Sequence, residues 1–363
     1  MRLEPRAQVS GWLWLAAPLL AVGFTLAVSS LLVAWAGAPV GRAYALLLEG
    51  GFGSRFAITE TLTRATPLIL TGLAAALAFR ARLYNIGAEG QLYAGAMAAV
   101  AVGGLHGGSG LAGPAWLLFP LMVLAAGVAG AALLLGPAWL KSRLGVDEVV
   151  TTLLLNFIVL LGVSALLDGA MKDPTAMGWP QSVALQDALQ LDKLVERSRV
   201  HTGLLAALAL SVLLTLLLRV TTLGLEIRAV GAGERAAAFA GMPVRRVVLT
   251  VAALSGALAG LAGAIEVAGR TGYVTLDMSP GYGYSGIVIA MLAALHPMGV
   301  VAAAVFVAGM LVGADSMSRA VGVPTYIADV IVATSLIAML VATLLVRWRL
   351  VWDQPAKADR APA

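Results

Sequence analysis

Long apolar stretches separated by short polar segments make up most of the chain. A membrane-spanning helix needs about 20 mostly apolar residues to cross a hydrocarbon layer about 30 Å thick. Ten stretches suit that role, but the eighth is short and only Pro297 separates it from the ninth. These two could form a re-entrant hairpin, so the predicted count is eight to ten. The stretches lie near 11–36, 65–83, 88–105, 112–137, 148–168, 202–219, 247–268, 284–296, 298–317 and 325–347.

The first stretch has two interpretations. Ala34-Trp35-Ala36 resembles a signal-peptide cleavage site that follows an apolar run. The run is longer than the 7–15 apolar residues typical of a signal peptide. We therefore expect residues 11–36 to be retained as a membrane anchor.

Composition indicates a membrane protein and excludes several functions. Hydrophobic residues make up 60% of the chain and charged residues 12%, whereas a soluble protein has about 25% charged residues. So few charges cannot cover a water-exposed surface, which predicts an all-α polytopic integral membrane protein with one transmembrane domain over residues 1–363. The absence of cysteine excludes disulfides and thiolate chemistry. Basic residues scattered singly or in pairs argue against nucleic-acid binding.

The positions of lysine and arginine predict the orientation. With the N-terminus inside and ten crossings, 15 of these residues lie on the cytoplasmic side and 9 on the outer side. Cytoplasmic loops carry the excess of positive charge in membrane proteins. We therefore expect both termini to be cytoplasmic, the loop 169–200 to be extracytoplasmic and the loop 220–246 to be cytoplasmic.

The outer loop 169–200 contains an apolar pattern of its own. Leu185, Leu189 and Val195 recur at near-helical spacing with acidic residues between them. This pattern predicts a short helix on the membrane surface. Two interpretations stay open, a solvated connector and a landing surface for an external partner.

The inner loop 220–246 predicts a short helix followed by a sharp corner. Residues 234–240 can form two helical turns, Gly241 permits the stop, and Pro243 suits the first position of the next helix. A face of small residues with Phe239 as anchor would fit a groove in a cytoplasmic partner, although an ordinary connector fits equally well. The candidate docking residues are Glu234, Arg235, Ala236, Ala237, Phe239, Gly241 and Pro243, with Ala240 on the same face.

Polar residues inside spans are the usual sign of a substrate pathway. The chain has only two asparagines, and both lie in or beside spans. The alternative is that Glu89 stabilises the start of its own helix and Asn85 closes a turn. Four other acidic residues, Glu266, Asp277, Asp315 and Asp329, are predicted at outer helix ends. No lysine or arginine is predicted inside a span away from its ends. The candidate pathway residues are Asn85, Glu89, Gln91 and Asn156.

A stripe of small residues recurs every three or four positions in the seventh stretch. Such stripes let membrane helices pack closely, and we expect that role here. The residues are Ser255, Gly256, Ala259, Gly260 and Gly263.

Sequences that resemble enzyme motifs lack the other residues that catalysis or phosphate binding would need. Ser285 lies in a G-x-S-G sequence typical of intramembrane serine proteases, but His296 follows 11 residues later, roughly 16 Å along a helix. Lys141 lacks the preceding glycine of a phosphate-binding loop, and no paired histidines indicate a metal. We predict no catalytic residue, no metal site and no cofactor in this chain.

Five stretches together resemble a bacterial ABC-importer permease, of the family that ribose-type, branched-chain amino acid and nucleoside importers share. The resemblance covers roughly residues 60–350, and the NIGAEGQ sequence resembles the nucleoside branch. The stretches are ARLYNIGAEGQLYAGAMAA (81–99), GVDEVVTTLLLNFIVL (145–160), TTLGLEIRAVGAGERAAAFAGMPVRRVVL (221–249), LSGALAGLAGAIEVAG (254–269) and GYGYSGIVIAML (281–292).

The resemblance implies a type II ABC-importer-like fold and a set of partners. Such permeases pair in the cytoplasmic membrane of a bacterium, in the nucleoside branch commonly as two different chains. Two cytoplasmic ATP-binding subunits hold ATP and Mg²⁺, and an extracytoplasmic lipoprotein delivers the substrate. The segment 233–242 is similar to the coupling helix that contacts the ATPase.

The expected function is therefore that of a permease subunit, without ATPase activity of its own, that imports nucleosides. A ribose-like sugar permease is the alternative within the family. A secondary carrier or an intramembrane serine protease is the alternative outside it.

Overall fold

The computed structural model describes residues 2–5, 11–104, 111, 113–322, 326–327, 330, 333–334, 337–338, 341–342, 346 and 348–351. The chain forms two units, residues 45–316 and residues 1–44 with 317–363. The helices are α1 (Gly11–Trp35), α2 (Val40–Phe52), α3 (Arg55–Arg80), α4 (Ala88–Gly103), α5 (Ala115–Leu144), α6 (Glu148–Asp168), α7 (Gly203–Val220), α8 (Thr222–Ala232), α9 (Glu234–Phe239), α10 (Val244–Glu266), α11 (Tyr282–Leu292) and α12 (Pro297–Val321).

Four short elements accompany these helices in the described part of the chain. A π-helical turn, Val267–Thr271, continues α10, and a 3₁₀ turn, Asp187–Leu189, lies in the outer loop. In the smaller unit, β1 (Arg2–Pro5) pairs antiparallel with β2 (Trp348–Val351).

Six described helices are long and apolar enough to cross a membrane, namely α3, α5, α6, α7, α12 and α10 with its π-helical turn. The number becomes seven if residues 23–35 and α2 form one bent span. The chain is an integral membrane protein. The helices α4 and α11, with 16 and 11 residues, are shorter than a full span, and most of the predicted stretch 325–347 lies outside the described residues. The count of eight to ten spans stays a prediction.

The predicted helix boundaries agree best with the observed ones where the polarity of the sequence changes abruptly. Residues 148–168 form α6 as predicted, but α3 begins at Arg55, ten residues before the predicted start. Its first turns carry buried threonines whose hydroxyls donate to backbone carbonyls, as Thr63 does to Thr59 at 2.9 Å and Thr61 to Gly51 at 2.8 Å. Because these bonds satisfy the hydroxyls inside the protein, the segment is buried although its composition is not apolar. The helix α2 was not predicted.

The stripe of small residues brings the backbone of α10 into contact with the backbones of α4 and α5. The helix packs against α3, α4 and α5. A Cβ atom on Gly260 would overlap the carbonyl of Ala126 on α5, and one on Gly263 would overlap that of Leu92 on α4. Close backbone approach of this kind favours helix association in a membrane. The predicted packing role is confirmed.

The outer loop folds back onto the helices, so the predicted surface helix over residues 185–196 is wrong. Leu185 and Leu189 are fully buried. The N–H of Gln186 donates to Gly103 at the end of α4 (2.9 Å), and that of Leu191 donates to Ala268 beyond α10 (2.8 Å). Carbonyls at helix ends lack partners within their helix, and the loop amides supply them while the leucines fill the space beneath.

Candidate functional site

The first group of predicted site residues lies around the linker between α3 and α4, residues 81–87, and in the first turn of α4. We use the name polar cluster for Asn85, Glu89, Gln91 and Asn156. None of these four side chains is more than 3% exposed. The structure therefore brings all four predicted pathway residues together in the interior, although Asn156 belongs to a different helix.

Asn85 and Gln91 form a closed pair of amides. Asn85 Nδ2 donates to Gln91 Oε1 at 2.9 Å, and Gln91 Nε2 donates to Asn85 Oδ1 at 2.9 Å. The same Asn85 oxygen accepts from the N–H of Gly87 at 2.9 Å, which is the turn-closing role considered from the sequence. Asn85 also donates to Ser255 Oγ on α10 at 3.3 Å, and Ser255 donates to the Ala74 carbonyl on α3 at 2.8 Å. The pair thus ties the linker to two central helices.

The helix α6 holds the same linker from its other side. Asn156 Oδ1 accepts from the N–H of Gly90 at 2.8 Å, and Asn156 Nδ2 donates to the Ile86 carbonyl at 2.8 Å and to the Tyr284 hydroxyl at 3.1 Å. Thr152 accepts from the Ile86 N–H at 3.2 Å. The buried amide and hydroxyl of α6 therefore replace backbone partners that an irregular linker cannot supply itself.

Glu89 caps a different helix from its own. The N–H of Gly283, in the first turn of α11, donates to Glu89 Oε2 at 2.6 Å. A Cβ atom on Gly283 would overlap the Glu89 backbone, so glycine is required for this approach. Gly281 precedes α11 with φ +84°. A carboxylate at a helix N-terminus is stabilised by the N–H groups there, and here it joins the starts of α4 and α11.

The inner loop forms two helices and the predicted corner. Residues 234–239 form α9, Gly241 has φ +81°, and Pro243 precedes the first residue of α10. The Met242 N–H donates to the Ala237 carbonyl at 3.0 Å, which closes the end of α9 as a left-handed glycine permits. The first half of the loop is also helical, because α8 begins with Thr221 accepting from the Gly224 N–H at 3.1 Å.

The exposed face of α9 differs from the predicted face at one residue. Phe239 is 97% exposed, and Glu234, Arg235, Ala236, Ala240, Gly241 and Pro243 are exposed as well. Ala237 is buried, so its predicted place on the docking face is wrong. Helical periodicity explains this, since positions 236, 239 and 240 share one side of a helix and 237 faces away from it.

Two ion pairs at the other end of the unit, each with at least one half-buried partner, were missed from the sequence. Arg64 Nη2 lies 2.6 Å from Asp315 Oδ2 and so joins α3 to α12. Glu266 is fully buried and pairs with Arg270. The prediction that no lysine or arginine lies within a span is wrong for Arg64, because α3 begins earlier than hydropathy indicated. Glu266 is the last residue of α10, at the predicted helix end, but it is buried there because the π-helical turn continues the helix.

The outer loop holds two groups with shifted pKa values. Burial, together with the smaller effect of the positive charge of nearby Arg270, lowers the pKa of His201 to about 4. Neither ring nitrogen of His201 has a hydrogen-bond partner among the residues that the structure describes. The hydroxyl and N–H of Thr175 lower the pKa of the Asp173 carboxyl by hydrogen bonding.

The serine protease alternative gains no support from the described residues. His296 Nε2 lies 3.1 Å from Arg219 Nη2, beyond the end of α11 opposite to Ser285. His201 belongs to the outer loop, and His106 lies outside the described residues.

Comparison with known proteins gives one family. A family model described as the permease component of branched-chain amino acid transport systems matches residues 57–346. A guanosine ABC transporter permease protein of Bacillus subtilis is 36% identical over 319 residues, 87% of this chain and 90% of the relative. A glucose ABC transporter permease protein of Haloferax volcanii is 38% identical over 374 residues, 100% of this chain and 97% of the relative. A nucleoside ABC transporter permease protein of Lactococcus lactis is 29% identical over 324 residues, 87% and 88% of the two chains.

Proposed function

Because the chain belongs to the family of permease components of branched-chain amino acid transport systems, we propose that it is the membrane-spanning subunit of an ATP-driven importer of nucleosides. The observation that carries the proposal is the family match over residues 57–346, which includes every described helix from α4 to α12. The proposed location is the cytoplasmic membrane of a bacterium. The proposed partners are a second permease, two ATP-binding subunits and an extracytoplasmic binding lipoprotein.

Two features favour nucleosides as the cargo. Two of the relatives are named as guanosine and nucleoside permeases. Arg64 and Arg270 are each paired with a carboxylate, whereas an anionic cargo such as a nucleotide would need an unpaired cation. A sugar is the second candidate, because the glucose permease relative matches the whole chain at 38% identity.

Uptake measurements separate these cargoes. The chain is expressed with the partner subunits encoded by neighbouring genes in a host that lacks nucleoside uptake. Radiolabelled guanosine and uridine should accumulate, and a catalytically inactive ATPase subunit should abolish this accumulation. Accumulation of glucose or ribose alone would replace nucleosides by sugars as the cargo. Nucleoside transport by the purified chain alone in liposomes would show a secondary carrier instead.

The mechanism that fits this arrangement is alternating access. ATP binding to the partner subunits and docking of the binding protein each favour one of two arrangements of the permease pair. The four members of the polar cluster are proposed to support the wall of the path, since each is hydrogen-bonded within the protein. This chain contributes no covalent chemistry to that cycle.

We assign contact with the ATPase to α9 and its corner. The exposed ring of Phe239 beside Ala236 and Ala240 is an apolar anchor surrounded by small residues, with Glu234 and Arg235 at the rim. In Phe239→Asp, burial of an unpaired carboxylate in the partner's groove would cost several kcal/mol. Copurification of ATPase subunits should fall about tenfold for each 1.4 kcal/mol lost.

The matched control is Phe239→Leu, which keeps an apolar anchor and should retain most of the copurification. Both variants should insert in the membrane in equal amounts. Normal ATPase copurification with Phe239→Asp would remove the contact assignment.

Single introduced cysteines can test the proposed orientation. The chain contains no cysteine of its own, so only the introduced one can react. Asp187 in the outer loop and Ala232 before α9 are both exposed. In intact cells, Asp187→Cys should react with an impermeant maleimide, and Ala232→Cys should react only after the membrane is opened. The reverse pattern would place α9 outside and contradict the ATPase contact.

A further inference from the structure

The side chain of Tyr284 is exposed although it lies near the middle of the helices along their length. Its side chain is 38% exposed, whereas the preceding Tyr282 is buried. Its hydroxyl lies 3.1 Å from Asn156 Nδ2. Asn156 is eight residues into the 21-residue helix α6, about 12 Å from the first residue at 1.5 Å per residue. The phenol therefore lies near the middle of a membrane-spanning helix, away from both ends.

A lipid-facing position does not suit this side chain. Tyrosine is enriched at the membrane–water interfaces, where its hydroxyl reaches water. Polar groups at the centre of a membrane domain usually face a protein interior or a water-filled path. The exposed side of α6 at the same depth carries Leu154, Ile158 and Leu161, which are the residues expected against lipid. The exposed phenol of Tyr284 therefore faces a different environment from the lipid-facing side of α6.

The polar cluster holds the phenol in one orientation. Asn156 donates to the phenol oxygen and is itself fixed by Gly90 and by the Ile86 carbonyl. Glu89 fixes the first turn of α11 through Gly283. Within the described part of the chain, no residue accepts a hydrogen bond from the Tyr284 hydroxyl. The ring therefore presents an apolar face and a hydrogen-bond donor that is available to a ligand.

We propose that Tyr284 contacts the nucleoside in the transport path, with its ring stacked on the base and its hydroxyl donating a hydrogen bond to the substrate. The inference rests on the proposed import of nucleosides. Every nucleobase has a π face, so stacking on an aromatic ring tolerates different bases. A single stack of this kind distinguishes a nucleoside from a free sugar. Tyr284 is then a specificity-determining residue that the polar cluster positions from behind.

Cysteine accessibility in the assembled transporter tests the environment of Tyr284. In membranes, Tyr284→Cys should react with a charged methanethiosulfonate reagent, and saturating uridine should slow the reaction at least about threefold. The matched control is Ile158→Cys, which lies at the same depth, is 62% exposed and should not react. A cysteine at 284 that stays unreactive both without nucleotide and with ATP trapped would place Tyr284 against lipid and overturn the proposal.

Transport kinetics test the contact itself. In Tyr284→Leu, the KM for guanosine and uridine should rise at least about fivefold, the low end for loss of one base–aromatic stack. Tyr284→Phe keeps the stack and should show a smaller rise. The control Tyr273→Leu removes a tyrosine of similar exposure, 37%, from the loop before α11 and should leave KM unchanged. KM does not depend on the amount of folded transporter, so reduced expression cannot imitate the effect.

The outcomes separate the two proposals. Nucleoside import by the unmodified transporter, with an unchanged KM in Tyr284→Leu, would overturn the Tyr284 contact and leave the proposed function intact. Absence of nucleoside import by the unmodified transporter would overturn both.

Discussion

The helices α3 and α6 are both long enough to cross a membrane, but they occupy opposite environments. In an apolar 18-residue segment taken from each helix, 83% of α3 is buried inside the protein but only 17% of α6. The helix α3 is nevertheless the less apolar of the two. In a soluble protein the more apolar helix would be the more buried one, and here the order is reversed.

The physical reason lies in the solvent. Lipid accepts apolar side chains but cannot hydrogen-bond, so polar groups in a span are favoured where other protein groups surround them. In α3, the buried Thr71 donates to the Tyr282 carbonyl at 2.9 Å. In α6, the buried polar residues Glu148, Thr152 and Asn156 recur every four positions and form one inward stripe. Polarity thus indicates which side of a span faces protein.

This difference should have its largest effect on stability when a leucine is shortened to alanine in one helix or the other. Leu73 on α3 is fully buried, and Leu73→Ala should destabilise the protein by about 2–5 kcal/mol through lost burial and a cavity. Leu154 on α6 is 54% exposed, and Leu154→Ala should cost less than about 1 kcal/mol because lipid fills the space. Thermal unfolding of the two variants in the same detergent measures the difference. An equal loss in both would show that α6 is packed against protein at Leu154.

A smaller effect is expected from the ion pair between Arg64 and Asp315. Removing one partner leaves an unpaired charge, which costs about 3–5 kcal/mol for a buried pair. Both side chains keep some exposure, 19% and 31%, so Arg64→Leu should cost about 3 kcal/mol or less. The double variant Arg64→Leu with Asp315→Leu removes both charges and should recover most of the loss. A double variant no more stable than Arg64→Leu would show that the loss does not come from leaving Asp315 without a partner.

The smallest expected effect concerns the loop that follows α6 and its residue His201. The folded state lowers the pKa of His201 to about 4, while the unfolded chain binds the proton near pH 6.5. The contribution of neutral His201 to the free energy of unfolding is therefore fully present above about pH 6.5, and it is lost as the pH falls toward 4. Between pH 7.5 and pH 5.5 the loss should be about 1 kcal/mol.

The variant His201→Leu removes the titrating group, so its thermal midpoint should depend less on pH over this range than that of the parent protein. Equal pH dependence of the two proteins would show that His201 takes up no proton on unfolding in that range.

The elements that local chemistry defines were predicted well. Residues 148–168 were recognised because an acidic start and an apolar run are both local signals. The corner after α9 was recognised because Gly241 permits a positive φ and Pro243 fixes its own φ, and both are local properties of the residue. The start of α3 was missed, since its threonines are satisfied by bonds that hydropathy cannot reveal. The buried position of Glu266 was missed because nothing local indicates a π-helical turn after α10.

The sequence by itself determined that this protein lies in a membrane, which segments can span it and that residues 57–346 belong to a permease family. These properties follow from composition, local periodicity and similarity along the chain. Only the tertiary structure decided that Glu89 caps α11 across 194 residues, that Asn156 holds the linker before α4 and that Tyr284 remains exposed beside it. Those contacts depend on which helices pack together, and apolar spans of similar composition do not encode their neighbours locally.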